Sequence, residues 1–126
     1  MSAAAAAYQR VQAQTATPER LMVMLFQKAR MHLIEAKQAI EGGNPLLSND
    51  PLFKAANIVT ELKATLRPEV APELCQQLGD LYSFILDRIR VGQTQRDPQA
   101  IGDAIDVFQP LVDAFGGAVA EVAKTS

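Results

Sequence analysis

Four times along these 126 residues a proline stands at the head of a run in which apolar side chains return every three or four positions. Proline is harmless at the first helical position, where the N–H it lacks would have no partner, and it breaks a helix almost everywhere else. Three of the four follow a capping side chain: Thr17 before Pro18, Asp50 before Pro51 and Asp97 before Pro98. Pro72 opens a fourth start with a weaker cap. A chain punctuated in this way is set to form helices between its prolines.

The apolar spacing fills in those helices. A first is predicted over 18–41, with Met22, Leu25, Phe26, Ala29, Leu33, Ala36 and Ile40 on its stripe and Gly42 and Gly43 to end it. A second over 51–66 carries Leu52, Ala55, Ala56, Val59, Leu62 and Leu66, widened by Phe53 and Ile58. A third over 72–95 repeats Leu74, Leu78, Leu81, Tyr82, Ile85 and Ile89. The fourth starts at Pro98 and passes Phe115, with a kink expected at Pro110, an end at Gly116 and Gly117, and a short tail helix around Val119 and Val122. No segment alternates with the period of two that a strand requires. The expected fold is all-α: an antiparallel four-helix bundle over 17–124, preceded by an N-terminal arm over 1–16. In that arm only Tyr8 and Val11 are sizeable apolar residues, and their spacing of three would let them dock together.

Several chemistries are excluded by what the sequence lacks. His32 and Glu35 sit three apart, but a di-iron bundle needs two ExxH units, and this chain has one histidine in the order HxxE. A histidine at the solvent edge beside a carboxylate is the expected reading. Cys75 is the single cysteine and lies on an apolar stripe, as a small buried residue would, and its isolation fits a reducing compartment. There is no GxSxG, HExxH or phosphate-cradling glycine loop, so no catalytic residues, cofactor or metal are expected and the chain is read as a non-enzyme. A net charge of −2 argues against nucleic acid. Arg88, Arg90 and Arg96 are explained by the C-terminal end of the third helix. No apolar run has membrane-spanning length, and the alanine run at the N-terminus has no basic residue before it to make a signal peptide.

The ordered motifs resemble one family. Ala7 and Tyr8, then Thr15, Ala16, Thr17, Pro18, Glu19 and Leu21, then Met24, Leu25 and Phe26, are similar to the AY and TASPExLIxMLY signatures of the flagellin-specific export chaperones of bacteria, the FliS type. Lys54, Ala55, Ile58, Val59, Glu61 and Leu62 resemble KAxxIIxEL; Leu78, Leu81, Tyr82, Phe84, Arg88 and Ile89 resemble NLxxLYxYMxxRL; Asp113, Ala114 and Phe115 resemble DAW. Departures are Gln27 and Lys28 for the usual DG, Ala71 and Pro72 for a glycine pair, and Gly79 where a larger residue is common.

The resemblance implies a cytoplasmic chaperone that binds the disordered C-terminal segment of flagellin, keeps it from polymerising and helps deliver it to the flagellar export gate. It implies no membrane insertion, and the oligomeric state is left at monomer or weak homodimer. Candidate client contacts are Tyr8, Val11, Leu21, Leu25, Ala55, Ile58, Tyr82 and Ile85. At helical spacing a tyrosine such as Tyr82 is more often core than contact, and core filling is the simpler account of Met22, Met24 and Met31. A structural or adaptor bundle that binds itself or another helix, without a secretion client, stays open as the alternative.

Overall fold

The structure, a computed structural model, describes residues 18–125, with side chains through 115. The expected arm over 1–16, with Tyr8 and Val11, and the cap residue Thr17 lie outside the described residues. Four helices follow in order: α1 over Pro18–Glu41, α2 over Asn49–Ala64, α3 over Pro72–Gln95 and α4 over Pro98–Thr125, with a short 3₁₀ turn at Pro45–Ser48 between α1 and α2. No strand occurs among the described residues.

The helix ends follow local chemistry. Gly43 takes φ +84, and the N–H groups of Gly43 and Asn44 donate to the carbonyls of Ile40 and Ala39 at 3.1 and 2.9 Å, closing α1 with paired reverse bonds that satisfy its last acceptors. At the head of α4 the Asp97 carboxylate accepts from the Gln99 N–H at 3.0 Å, which is the cap its position before Pro98 predicts. The start of α2 differs from expectation. The 3₁₀ turn runs straight into the helix, so Asp50 lies inside the first turn, where it pairs with Lys54 at 3.0 Å, and the Ser48 hydroxyl donates back to the Pro45 carbonyl at 2.6 Å.

Successive helices are neighbours: α1 packs on α2 and α4, and α3 packs on α2 and α4. Antiparallel register is read from side chains. Arg96 at the end of α3 meets Asn49 at the start of α2, while Leu66 just past α2 lies against Gly79 in the first half of α3. Gly92 meets Ile101 across the α3–α4 turn, and Phe26 near the start of α1 meets Phe115 late in α4.

The core is one apolar cluster drawn from all four helices, including Phe26, Leu33, Leu52, Val59, Tyr82, Ile85, Ile101 and Phe108. Phe26 lies at its aromatic centre, with Tyr82, Phe108 and Phe115 rings 6.4, 6.1 and 5.9 Å away in tilted or edge-on arrangements.

Several sequence expectations are corrected here. α4 is one helix to Thr125, with no separate tail helix after Gly116 and Gly117. Pro110 is tolerated because it and Asp106, whose carbonyl loses its partner, are both exposed to water. Phe53 is 64% exposed instead of widening the core stripe of α2. Leu74 is 45% exposed, because α2 is only 16 residues long and the first turn of the 24-residue α3 overhangs its end. Cys75, in the same overhang, is half-buried. His32 is buried rather than at the solvent edge, with Nδ1 4.0 Å from a Glu35 carboxylate oxygen.

Candidate functional site

The inner face of α1 is the core stripe of Phe26, Ala29, Leu33 and Ala36. A second set of apolar side chains on the same helix is partly open to water: Leu21, Met24 and Leu25 at 36, 37 and 36% exposure and Met31 at 49%. Leu21, Met24 and Leu25 are neighbours at spacings of three and four, and Met31 follows two turns on from Met24, beyond exposed Lys28. Soluble helices normally present polar residues on that side, and an apolar strip left open marks a surface for a partner. Met22 packs on the core, so the three methionines divide between core and surface; spacing alone could have separated them, since Met24 and Met31 are seven apart and Met22 shares the phase of Ala29.

The stripe borders a seam. Lys37 lies against Gly102, and Phe26 against Phe108 and Phe115, so that side of α1 faces α4. At about 100° per residue, Leu21 and Leu25 fall on the other flank, beside α2. Lys63 of α2 and Leu66 just past its end reach α3, which leaves half-buried Ile58 on the flank of α2 toward α1. Of the six described candidates, Leu21, Leu25 and Ile58 thus belong to the α1–α2 seam. Ala55, Tyr82 and Ile85 are closed inside the core.

Tyr82 is nonetheless unusual. Its hydroxyl is buried without a hydrogen-bond partner, and burial pushes its pKa up to about 12. A folded-state pKa above the unfolded value of 10 means full stability below pH 10 and loss as pH rises through 12. Over that window the tyrosine should withdraw about 2 to 3 kcal/mol of stability, at ~1.4 kcal/mol per unit. Tyr82→Phe should flatten this alkaline slope and, by removing an unpaired buried hydroxyl, raise stability at pH 7 by about 1 kcal/mol. Urea unfolding of both proteins from pH 8 to 11.5 checks the difference; parallel slopes would place the hydroxyl in contact with water.

The arginines in the second half of α3 are paired with nearby carboxylates. Arg88 and Arg90 both donate to Asp87, at 2.9 Å each, and those bonds hold its carboxyl below the usual carboxylate range. Arg88 also stands 6.0 Å from the Phe84 ring centre and 3.8 Å from Asp103. These arginines are therefore compensated and make no free basic strip for nucleic acid. Among the described residues no three of His, Cys, Asp and Glu converge as metal ligands, and no helix is long and apolar enough to cross a membrane. A shallow groove between α2 and α3, lined by Leu66, Pro72, Cys75, Gly79 and Ser83, is bridged by the 3.0 Å hydrogen bond from Lys63 to Ser83.

Comparison with known proteins decides the lineage. The family model described as flagellar protein FliS matches residues 1–122. The chain belongs to the FliS family. It is similar to the flagellar secretion chaperone FliS of Bacillus subtilis, with 30% identity over 113 residues, covering 90% of this chain and 84% of the relative. The FliS chaperones of Salmonella typhimurium and Vibrio cholerae are 30% and 29% identical over 102 and 104 residues, covering 80% and 82% of this chain and 76% of each relative. A crystal structure of a bacterial flagellar chaperone superposes with a TM-score of 0.78 at 23% identity, over 91% of this chain and 96% of that one, and shows the same helical-bundle fold. FliS is a chaperone family, not an enzyme family. In this FliS chain the outer stripe of α1 includes Leu21, Met24 and Leu25, residues of the motif that carries the family resemblance.

Proposed function

We propose that this FliS protein is a cytoplasmic export chaperone that holds the disordered C-terminal segment of flagellin, prevents its premature polymerisation and assists its passage to the export gate. The observation that carries this reading is the second apolar stripe on α1, with Leu21, Met24, Leu25 and Met31 open to water beside the α1–α2 seam. A disordered client that folds on contact can lay the apolar face of a helix against such a strip, and affinity then comes from buried apolar area. Ile58 contributes from the α2 side. Ala55, Tyr82 and Ile85 act from beneath by holding the seam in shape, and contact the client only where the helices part.

Mixing the full chain with a flagellin C-terminal peptide should give one-to-one binding, a negative heat-capacity change in calorimetry and a gain of helix in circular dichroism. Leu21→Ser with Leu25→Ser should weaken that binding at least tenfold, about 1.4 kcal/mol, compared at a temperature where the variant is folded, since at 36% exposure both side chains also pack on the bundle. Salt-sensitive binding without helix gain would contradict the apolar mechanism. Absence of any binding, with association only between copies of the bundle, would favour the adaptor alternative.

A further inference from the structure

The chain has four methionines, and α1 holds three of them within ten residues. Met22 packs against the core, whereas Met24 and Met31 stand on the outer side of the helix at 37 and 49% exposure; Met1 lies outside the described residues. A helix needing only apolar area at those two outer positions would be served equally by leucine, which has a similar helix propensity and is already used beside them at Leu21 and Leu25. Methionine adds one chemistry that leucine lacks. Its thioether sulfur is oxidised to a sulfoxide, which turns an apolar side chain into a polar one and is reversed by dedicated reductases. A sulfur held in a packed core is shielded from oxidants in solution, and these two side chains are not.

We propose that Met24 and Met31 form a reversible oxidation site that switches off client binding, an inference that rests on the client surface proposed above. The oxidant is a peroxide. The sulfur lone pair attacks one oxygen of hydrogen peroxide, the O–O bond breaks as the S–O bond forms, and the second oxygen leaves as water with both hydrogens. Sulfur loses two electrons and the peroxide gains them. In the return step the sulfoxide oxygen leaves as water while two thiols of a reductant close to a disulfide, which gives the electrons back.

The consequence falls on the complex rather than on the fold. In the free bundle both sulfoxides remain in contact with water, so the core of Phe26, Leu33 and their neighbours is untouched. The two sulfurs are carried about 10 Å apart along α1, so a client helix of three turns laid on the stripe covers both. An apolar client face seated there buries two strong acceptors with no donor opposite, which is unfavourable for each. Oxidation of Met22 would act differently, since a polar group at that position is forced against the core and lowers the stability of the bundle itself.

The test treats the full chain with hydrogen peroxide, removes the oxidant, and only then adds a flagellin C-terminal peptide. Mass spectrometry should show Met24 and Met31 gaining one oxygen each before Met22 does. Binding should weaken about tenfold or more, with the helical spectrum of the free chain retained. Methionine sulfoxide reductases for both sulfoxide epimers, supplied with dithiothreitol, should restore the affinity. Met24→Leu with Met31→Leu is compared with its own untreated form, and its affinity, whatever its value, should change less than about twofold on peroxide treatment. A loss that persists in this variant arises at Met1, Met22 or Cys75 and overturns the proposal, as does oxidation of Met22 ahead of both outer methionines. Oxidised wild type that binds as tightly as reduced wild type overturns the switch and leaves the client reading standing. Untreated wild type that fails to bind overturns the client reading, and the switch with it.

Discussion

Phe26→Ala should destabilise the bundle by about 3 to 5 kcal/mol, a large part of the 5 to 15 kcal/mol that holds a domain of this size. The ring is fully buried and touches Tyr82 of α3 and both Phe108 and Phe115 of α4. Its removal therefore leaves a cavity bounded by three rigid rings, none of which can swing into the space without losing its own contacts. Urea denaturation at pH 7 measures the loss as a lower midpoint with an unchanged slope. A cost below about 1 kcal/mol would mean that the aromatic cluster is not packed as described.

The second large effect is a contrast on one helix. Leu74 and Ile85 belong to the same three-and-four pattern, but Ile85 is fully buried and Leu74 nearly half exposed. Ile85→Ala should cost about 2 to 5 kcal/mol, and Leu74→Ala no more than about 0.5. Thermal melts of the two variants side by side check the phase and the overhang together. Equal losses would extend α2 past the first turn of α3.

That contrast also locates the boundary of what a linear pattern can express. Periodicity says which residues share a face of a helix; it cannot say whether a neighbouring helix reaches that far. The limit recurs at Phe53, whose flank of α2 has no helix over it, and at His32, which the pattern put at a solvent edge and the packing of α1 buried. It recurs again in the candidate site. Leu21, Met24, Leu25 and Ile58 could be named from the motif they share with the family, and the phase of Met31 follows from its spacing of seven from Met24, whereas the complete closure of Ala55 and Ile85 depends on where the neighbouring helices lie.

By itself the sequence determined the local matters: an all-helical chain, four helices, starts at Pro18, Pro72 and Pro98, the stop at Gly43, and membership of a family readable in its motifs. Each of these rests on interactions between residues at most a few positions apart, such as a missing N–H, a capping carboxylate or a glycine free to take positive φ. The tertiary structure alone decided the unbroken run of α4 through Pro110, the 3₁₀ turn pinned by an arginine 47 residues away from Asn49, and the exposure of Phe53 and Leu74. These depend on contacts between distant segments, whose free energy belongs to the packed bundle and to no stretch of chain within it.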